Sequence, residues 1–310
     1  MFHSTMDDKF PFVSICTPTY NRRPFIPSLI KSIEQQRYPI NRIEWIIVDD
    51  GPDSIQDLVK DIPYVKYFRY NYKLPLGLKR NIMNSHASGE YLVYFDDDDY
   101  YPPTRIYHAI TSLLQNPQYN IAGSSEMLIY YNHLQQIWKL GPNVRNHATA
   151  ATFAFHRKLL NITRFNDTDQ FAEEKHFLKK YSIPLLQLNP TQTILVFSHL
   201  FNTFDKKILL KNGSGIRKTI YDPKHIIEGK HNQNFYLRDM TSLLLYYKYD
   251  FLQRLHSKNK NESNLPLTTS SKKTESDEEI EPETKDDELR REPLEKNTQQ
   301  KKVNFVSNRY

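Results

Sequence analysis

Four consecutive aspartates, Asp96-Asp97-Asp98-Asp99, follow the apolar run Tyr91-Leu92-Val93-Tyr94-Phe95. Like charges this close repel, and a folded chain holds them only in water or around a cation. In an extended stretch alternate side chains share a face, so Asp96 and Asp98 are expected to point together into a cleft. Short-stemmed carboxylate oxygens suit Mg²⁺ or Mn²⁺, hard ions that combine a few carboxylates with the phosphates of a substrate. The chain carries its own contrast. Asp277-Glu278-Glu279 and Asp286-Asp287-Glu288 are equally acidic but sit among Ser, Thr, Lys and Glu with no apolar strand nearby. Asp96 to Asp99 lie instead between a β-rich pentapeptide and Tyr100-Tyr101-Pro102-Pro103, where a strand should stop and a helix begin.

The elements that must position these carboxylates alternate strand and helix over the first 118 residues. That pattern predicts an α/β fold with a mixed, mostly parallel central sheet flanked by helices. Phe12–Thr17, Glu44–Val48, Tyr64–Tyr70 and Tyr91–Phe95 read as strands. Pro24 opens a helix whose Ile26, Leu29, Ile30 and Ile33 share a face, and Leu76 to Ala87 forms another with Leu78, Ile82 and Met83 buried. Ligands of open α/β sheets bind beyond the carboxyl ends of the strands. Three such ends are polar: Thr17-Pro18-Thr19-Tyr20-Asn21-Arg22, Asp49-Asp50-Gly51 and Asp96 to Asp99. All three should meet at one edge of the sheet.

Past Pro117 the pattern becomes mixed, with strands expected at Ile121–Tyr131, Ile137–Leu140, Thr149–Phe155, Leu185–Leu188 and Thr193–Ser198. Helices are expected over Phe171–Tyr181 and near Tyr236–Leu255, where the stripe Leu243 to Tyr247 should pack on the core. The resulting division is an N-terminal extension (1–10), a first half (11–118), a second half (119–212), a helical extension (213–256) and a charged, disordered tail from Ser257 to Tyr310.

Composition sets the outer limits. The 310 residues carry a net charge of +6 and one cysteine, Cys16, inside an apolar run. A disulfide scaffold is excluded, and Cys16 reads as packing. From His256 to Tyr310 there are 11 Lys and Arg against 12 Asp and Glu; upstream the count is 31 against 24, a net of +7. A basic body suits a polyanion such as a nucleoside diphosphate. Basic residues are dispersed and no nucleic-acid module is present, so no nucleic-acid partner is expected. No apolar stretch reaches the ~18 residues needed to span a bilayer, and no signal-peptide core follows Met1. A cytoplasmic protein is expected, with peripheral membrane association open to it.

The order Thr17-Pro18-Thr19-Tyr20-Asn21-Arg22, Val48-Asp49-Asp50-Gly51, Gly77-Leu78-Lys79-Arg80-Asn81 and Phe95-Asp96-Asp97-Asp98-Asp99 resembles the GT-A nucleotide-sugar glycosyltransferases, family 2 in particular. The resemblance spans roughly residues 11–205 and is densest over 11–103. It implies a loop from Thr17 to Arg22 cradling the base and ribose of a nucleoside-diphosphate sugar, with Asp49 and Asp50 reading the base. A carboxylate accepts an imide N–H such as that of uracil, which favours a UDP-sugar. The resemblance further places Lys79, Arg80 and Asn81 near the donor diphosphate. It makes Asp96 and Asp98 the DXD pair, with Asp98 a direct ligand of Mn²⁺ or Mg²⁺, Asp96 toward the ribose or a metal-bound water, and Asp97 and Asp99 behind them or capping the following helix.

An inverting transfer also needs a base for the acceptor hydroxyl, and relatives carry an acidic pair some 70–100 residues beyond the DXD. Glu173-Glu174 occupies that place, with Glu where the family often has Asp in the second slot. Glu174 is the expected base and Glu173 its orienting partner, with Asp167 and Asp169 as weaker candidates. His199, in Ser198-His199-Leu200-Phe201-Asn202-Thr203, resembles a late histidine that completes the metal shell, and His147 is expected on the acceptor side. The acceptor itself (glycan, protein or small molecule) is not specified. Two other functions compete: a nucleotidyltransferase, which would want a Gly-rich loop where this chain has Thr17 to Asn21, and a catalytically inactive nucleotide-binding module.

Overall fold

The computed structural model describes residues 9–263 apart from 214 and 239. Its first sheet has seven strands in the order β3-β2-β1-β4-β8-β5-β9, formed by Val13–Thr19 (β1), Ile43–Asp49 (β2), Val65–Arg69 (β3), Tyr91–Tyr94 (β4), Ile121–Gly123 (β5), Ala154–His156 (β8) and Leu186–Gln187 (β9). Strands β3, β2, β1 and β4 run parallel, and β8 is antiparallel to both its neighbours. Every residue of β1 and β2 is buried, which is why both read as unbroken apolar runs: helices cover the sheet on both faces. Those helices are Ile26–Glu34 (α1), Gln56–Val59 (α2), Leu76–His86 (α3) and Arg105–Gln115 (α4).

Register delivers the site. Thr19 lies opposite Asp49, and Cys16 lies opposite Tyr94, so the polar ends of β1, β2 and β4 emerge at one edge as expected. The parallel order puts β1 between β2 and β4, where loops from both neighbours converge on it.

A second sheet of four strands, ordered β10-β6-β7-β11, packs beyond this edge. It consists of Met127–Tyr131 (β6), Gln136–Leu140 (β7), Leu195–Ser198 (β10) and Ile216–Lys218 (β11). The single strand expected over Ile121–Tyr131 is therefore two strands in different sheets. The break comes at Ser124 and Ser125, whose backbone N–H groups donate to Thr152 Oγ1 (2.9 Å) and Gln187 Oε1 (2.8 Å) instead of to a ladder. Thr149–Phe155 is also shorter as a strand, because Ala150–Thr152 forms a 3₁₀ turn before β8.

The helix expected over Phe171–Tyr181 shrinks to one turn, Glu174–Phe177 (α5). Left-handed residues bracket it, Ala172 before and Lys179, Lys180 and Tyr181 after, and these conformations cannot continue a helix. The remaining helices are Lys207–Asn212 (α6), Pro223–Ile226 (α7), Lys230–Tyr236 (α8) and Met240–Ser263 (α9). In the apolar stripe of α9, Leu244 is buried with Tyr236 and Met240, whereas Leu245 and Tyr246 face outward. Packing against the core thus holds for one side of the stripe. Helix α9 also runs past Ser257, where the tail was expected to begin; the rest of that tail and most of the N-terminal extension lie outside the described residues. Among the described residues, no helix is long and apolar enough to cross a membrane.

Candidate active site

The four aspartates leave β4 in a turn, not in the extended form that alternation assumed. Alternation of accessibility survives: Asp97 and Asp99 are buried, Asp96 and Asp98 partly open. Asp99 Oδ1 accepts from Phe197 N (2.8 Å), and Asp99 O accepts from Tyr236 Oη (2.8 Å). Asp99 therefore sews the turn to β10 and α8 and does not cap α4. Tyr101 Oη accepts from Asp96 N (2.6 Å) while its ring stacks on Phe95. The Asp99 side chain and the backbone of Asp96 and Asp99 thus hold the turn.

Asp98 is the most contested of them. Its Oδ2 meets Arg22 Nε at 3.0 Å, His199 Nε2 at 3.1 Å and Asn202 Nδ2 at 3.5 Å. Burial opposes its charge, but the His199 hydrogen bond and the Arg22 charge hold it well below the usual carboxylate range. Burial and the neighbouring Asp98 push Asp97 up to about 7 and raise Asp99 well above the ordinary value. Asp96 is raised too, by burial, with Arg80 opposing the shift.

These carboxylates suit a hard divalent cation in kind. Among the described residues no three His, Cys, Asp or Glu side chains gather to cage one, so oxygens of a bound diphosphate would have to complete the shell, as Mg²⁺ and Mn²⁺ permit. His199 fits less well. Its Nδ1 accepts from Phe201 N (3.1 Å), so the neutral ring carries its proton on Nε2, the nitrogen that faces Asp98. Ligation through Nε2 would move that proton to Nδ1, against the Phe201 N–H. In this conformation His199 is a hydrogen-bond donor to Asp98 and not a ligand beside it.

The loops from β1 and β2 are built differently from expectation. Thr17 Oγ1 accepts from Trp45 Nε1 (2.9 Å) in the core, and Thr17, Pro18 and Thr19 are all buried. Only Tyr20, Asn21 and Arg22 of that loop reach the surface. Asp49 is engaged at both oxygens, by Gly51 N (3.0 Å), Ile55 N (3.2 Å) and Tyr67 Oη (2.6 Å), with Arg69 Nη1 at 3.6 Å. It shapes the turn. Asp50 pairs with Lys79 Nζ at 2.5 Å and accepts from Leu74 N at 2.6 Å. Neither carboxylate offers a base an open oxygen in this conformation.

Helix α3 corrects the reading of Lys79, Arg80 and Asn81 most. Lys79 and Arg80 are buried, and their ion pairs explain how. Lys79 ties Asp50 to Thr19 O (3.2 Å). Arg80 gives Nε to Glu173 Oε1 (2.7 Å) and Nη2 to Asp96 Oδ1 (3.3 Å), over the ring of Tyr94. Asn81 Nδ2 donates to Phe165 O (2.9 Å) and Asp167 Oδ1 (2.7 Å), and its Oδ1 accepts from Phe165 N. Arg80 and Asn81 thus grip the segment that carries the acid pair. Gly77 completes the grip. Its N–H donates to Asp169 O (2.9 Å), and a Cβ added there would lie 2.0 Å from Asn166 O. Gly77→Ala is expected to cost about 1–3 kcal/mol through overpacking, measured as a lowered urea midpoint with unchanged slope.

Glu173 is buried on Arg80; Glu174 is partly exposed, and burial plus the Glu173 charge push its carboxyl up to about 7. Asp167 is bound to Asn81 and Arg164, and Asp169 to Asn166, which leaves both as loop anchors. His147 lies against Tyr181 (ring centroids 5.2 Å apart, planes tilted by 46°) beside a cavity of about 630 Å³ lined by Ser125, Asn143, Arg145, Asn146 and Gln187. Sequence reasoning missed Tyr101, the Phe201 carbonyl that holds Arg22, and the link from Arg80 to Glu173. A signal for the last existed: Gly77 and Arg80 lie one turn apart on the buried face of α3.

Comparison with known proteins follows the same lines. The description "Glycosyl transferase family 2" matches residues 14–179, just over half of the chain. The chain is 38% identical over 96 residues to the GalNAc(5)-diNAcBac-PP-undecaprenol beta-1,3-glucosyltransferase of Campylobacter jejuni, covering 29% of this chain and 30% of that protein. It is 30% identical over 100 residues to the poly(ribitol-phosphate) beta-N-acetylglucosaminyltransferase TarS of Staphylococcus aureus, covering 28% and 16%. It therefore spans less than a third of either relative. Among solved structures, the mannosyltransferase PcManGT of Pyrobaculum calidifontis, in complex with GDP-Man and Mn²⁺, superposes with a TM-score of 0.51 at 18% identity, covering 83% of this chain and 76% of that one. The fold is the GT-A arrangement expected from the sequence.

Proposed function

The chain belongs to glycosyl transferase family 2, and from that premise we propose that it moves a sugar from a nucleoside-diphosphate sugar to an acceptor hydroxyl with inversion. The observation that carries this reading is the Arg80 bridge, which ties Glu173, the neighbour of Glu174, to Asp96 of the aspartate turn. Glu174 takes the proton of the acceptor hydroxyl; a carboxyl poised at about 7 is matched to that work at neutral pH. Glu173, fixed by Arg80, keeps a negative charge behind Glu174 and sustains its basicity. Tyr20 and Asn21, beside Arg22, face the nucleotide. A divalent cation held by Asp98, with Asp96 beside it, would neutralise the charge that grows on the departing diphosphate.

A UDP-sugar is the proposed donor, because the acidic end of β2 offers the acceptor that an imide N–H requires. Asp50 must release Leu74 N or Lys79 Nζ to serve. The cavity beside His147 is proposed as part of the acceptor side.

A thermal-shift panel of UDP- and GDP-sugars with and without Mn²⁺ tests this reading. At a hundredfold excess over Kd, a true donor should raise Tm by about 5–10 °C. The rise should require Mn²⁺ and vanish in Asp98→Asn. Nucleotide-independent or Mn²⁺-independent shifts would count against the metal role, and preference for a nucleoside triphosphate would favour nucleotidyl transfer instead.

A further inference from the structure

Arg22 occupies an unexpected place. It stands next to the residues that face the nucleotide, yet its side chain turns onto the aspartates. Nε lies 3.0 Å from Asp98 Oδ2 and 3.7 Å from Asp97 Oδ1. Nη1 donates to Tyr20 O (3.4 Å), and Nη2 donates to Phe201 O. Both Arg22 and Asp98 side chains are only 13% exposed, so the pair is shielded from bulk solvent and its attraction is only weakly screened. His199 and Asn202 approach the same Asp98 oxygen from β10 and its following loop. A positive charge, three hydrogen-bond donors and one shared carboxylate oxygen make a closed cation site that the chain fills by itself.

Two cations cannot share that oxygen at contact distance without strong repulsion. A divalent ion that takes Asp98 Oδ2 must therefore push the guanidinium off it. A displaced guanidinium needs a new anion, and its planar fork matches phosphate oxygens in pairs. The donor diphosphate brings such oxygens to this edge. We infer that Arg22 is a resident cation on Asp98 that keeps the divalent ion out until a diphosphate arrives to receive the guanidinium, so that metal and donor bind together and neither binds well alone. This rests on the donor and metal reading above and adds to it an order of events and a residue that sets it.

Manganese titration of the full chain, followed by the electron paramagnetic resonance signal of free Mn²⁺, tests the inference without turnover. Wild type without nucleotide should bind Mn²⁺ weakly and with UDP more tightly. Arg22→Gln should bind Mn²⁺ alone at least about tenfold more tightly, the scale of one charge-assisted hydrogen bond. With Mn²⁺ saturating, the same variant should bind UDP about tenfold more weakly. Opposite shifts in two ligands are not what a merely loosened fold produces. Arg22→Lys, which keeps the charge, should stay near wild type in Mn²⁺ affinity. If Arg22→Gln binds Mn²⁺ no tighter than wild type while Asp98→Asn still loses it, the resident-cation role is wrong and the metal reading stands. If no form binds Mn²⁺ even with UDP present, the metal reading itself fails and takes this inference with it.

Discussion

Replacing Glu174 with glutamine is expected to lower kcat for sugar transfer by about 10²- to 10⁴-fold, the usual contribution of a general base. The donor KM should hardly move, because the proposed role of Glu174 is toward the acceptor hydroxyl and not the donor. Stability should hardly move either: Glu174 is partly exposed and is not the member of the pair that Arg80 binds. The pH profile makes the claim sharper. Burial first, and then the charge on Glu173, raise the Glu174 carboxyl to about 7. The protonated form cannot accept the acceptor's proton, so kcat should fall tenfold per pH unit below about 7 and level off above it. In Glu174→Gln that acid limb should disappear. Glu173→Gln makes the opposite kind of change: it removes a negative neighbour, the Glu174 carboxyl becomes a stronger acid, and the limb moves to lower pH. A Glu174→Gln enzyme that keeps more than a tenth of its turnover, or that keeps the limb, would show that the base lies elsewhere.

The acid pair and the aspartate turn were legible because each depends on local order: a strand end, a run of carboxylates, a helix start. Burial on both faces wrote β1 and β2 into the sequence as continuous apolar runs, and β4 followed from the same cue. What escaped depended on partners distant in the chain. Arg80 looks like a diphosphate contact until Glu173, 93 residues away, is placed against it. Thr17 looks like a ligand contact until Trp45 donates to its hydroxyl. Asp49 looks available until the turn it closes takes both oxygens. The apolar run from Ile121 to Tyr131 hid a change of sheet because side chains of Thr152 and Gln187, not the residues of the run, break the ladder. His199 lies against Asp98, but its protonated nitrogen is set by a backbone N–H two residues on, which no residue pattern encodes.

Arg80→Ala is expected to be the most destabilising single change at the site. The side chain is 2% exposed and bonds Glu173 at 2.7 Å and Asp96 at 3.3 Å. Without it, Glu173 stays buried with its charge uncompensated, a loss of about 3–5 kcal/mol, or on the order of 10 °C in Tm for a domain of this size. Activity should fall with it, since the loop carrying Glu174 loses its anchor. Arg80→Lys keeps the charge but not the fork, and one ammonium cannot reach both carboxylates as the guanidinium does; most of the activity should be lost while part of the stability returns. The decisive comparison is the double variant Arg80→Met with Glu173→Leu. Replacing both members of a buried pair with apolar side chains of similar volume is often neutral or stabilising, so Tm should recover most of what Arg80→Ala loses. Transfer should not recover, because the link from Asp96 to the base is gone and Glu174 has lost the neighbour that raises it. If the double variant regains turnover along with stability, the Arg80 bridge serves the fold alone, and coupling between the two halves of the site must run through the backbone.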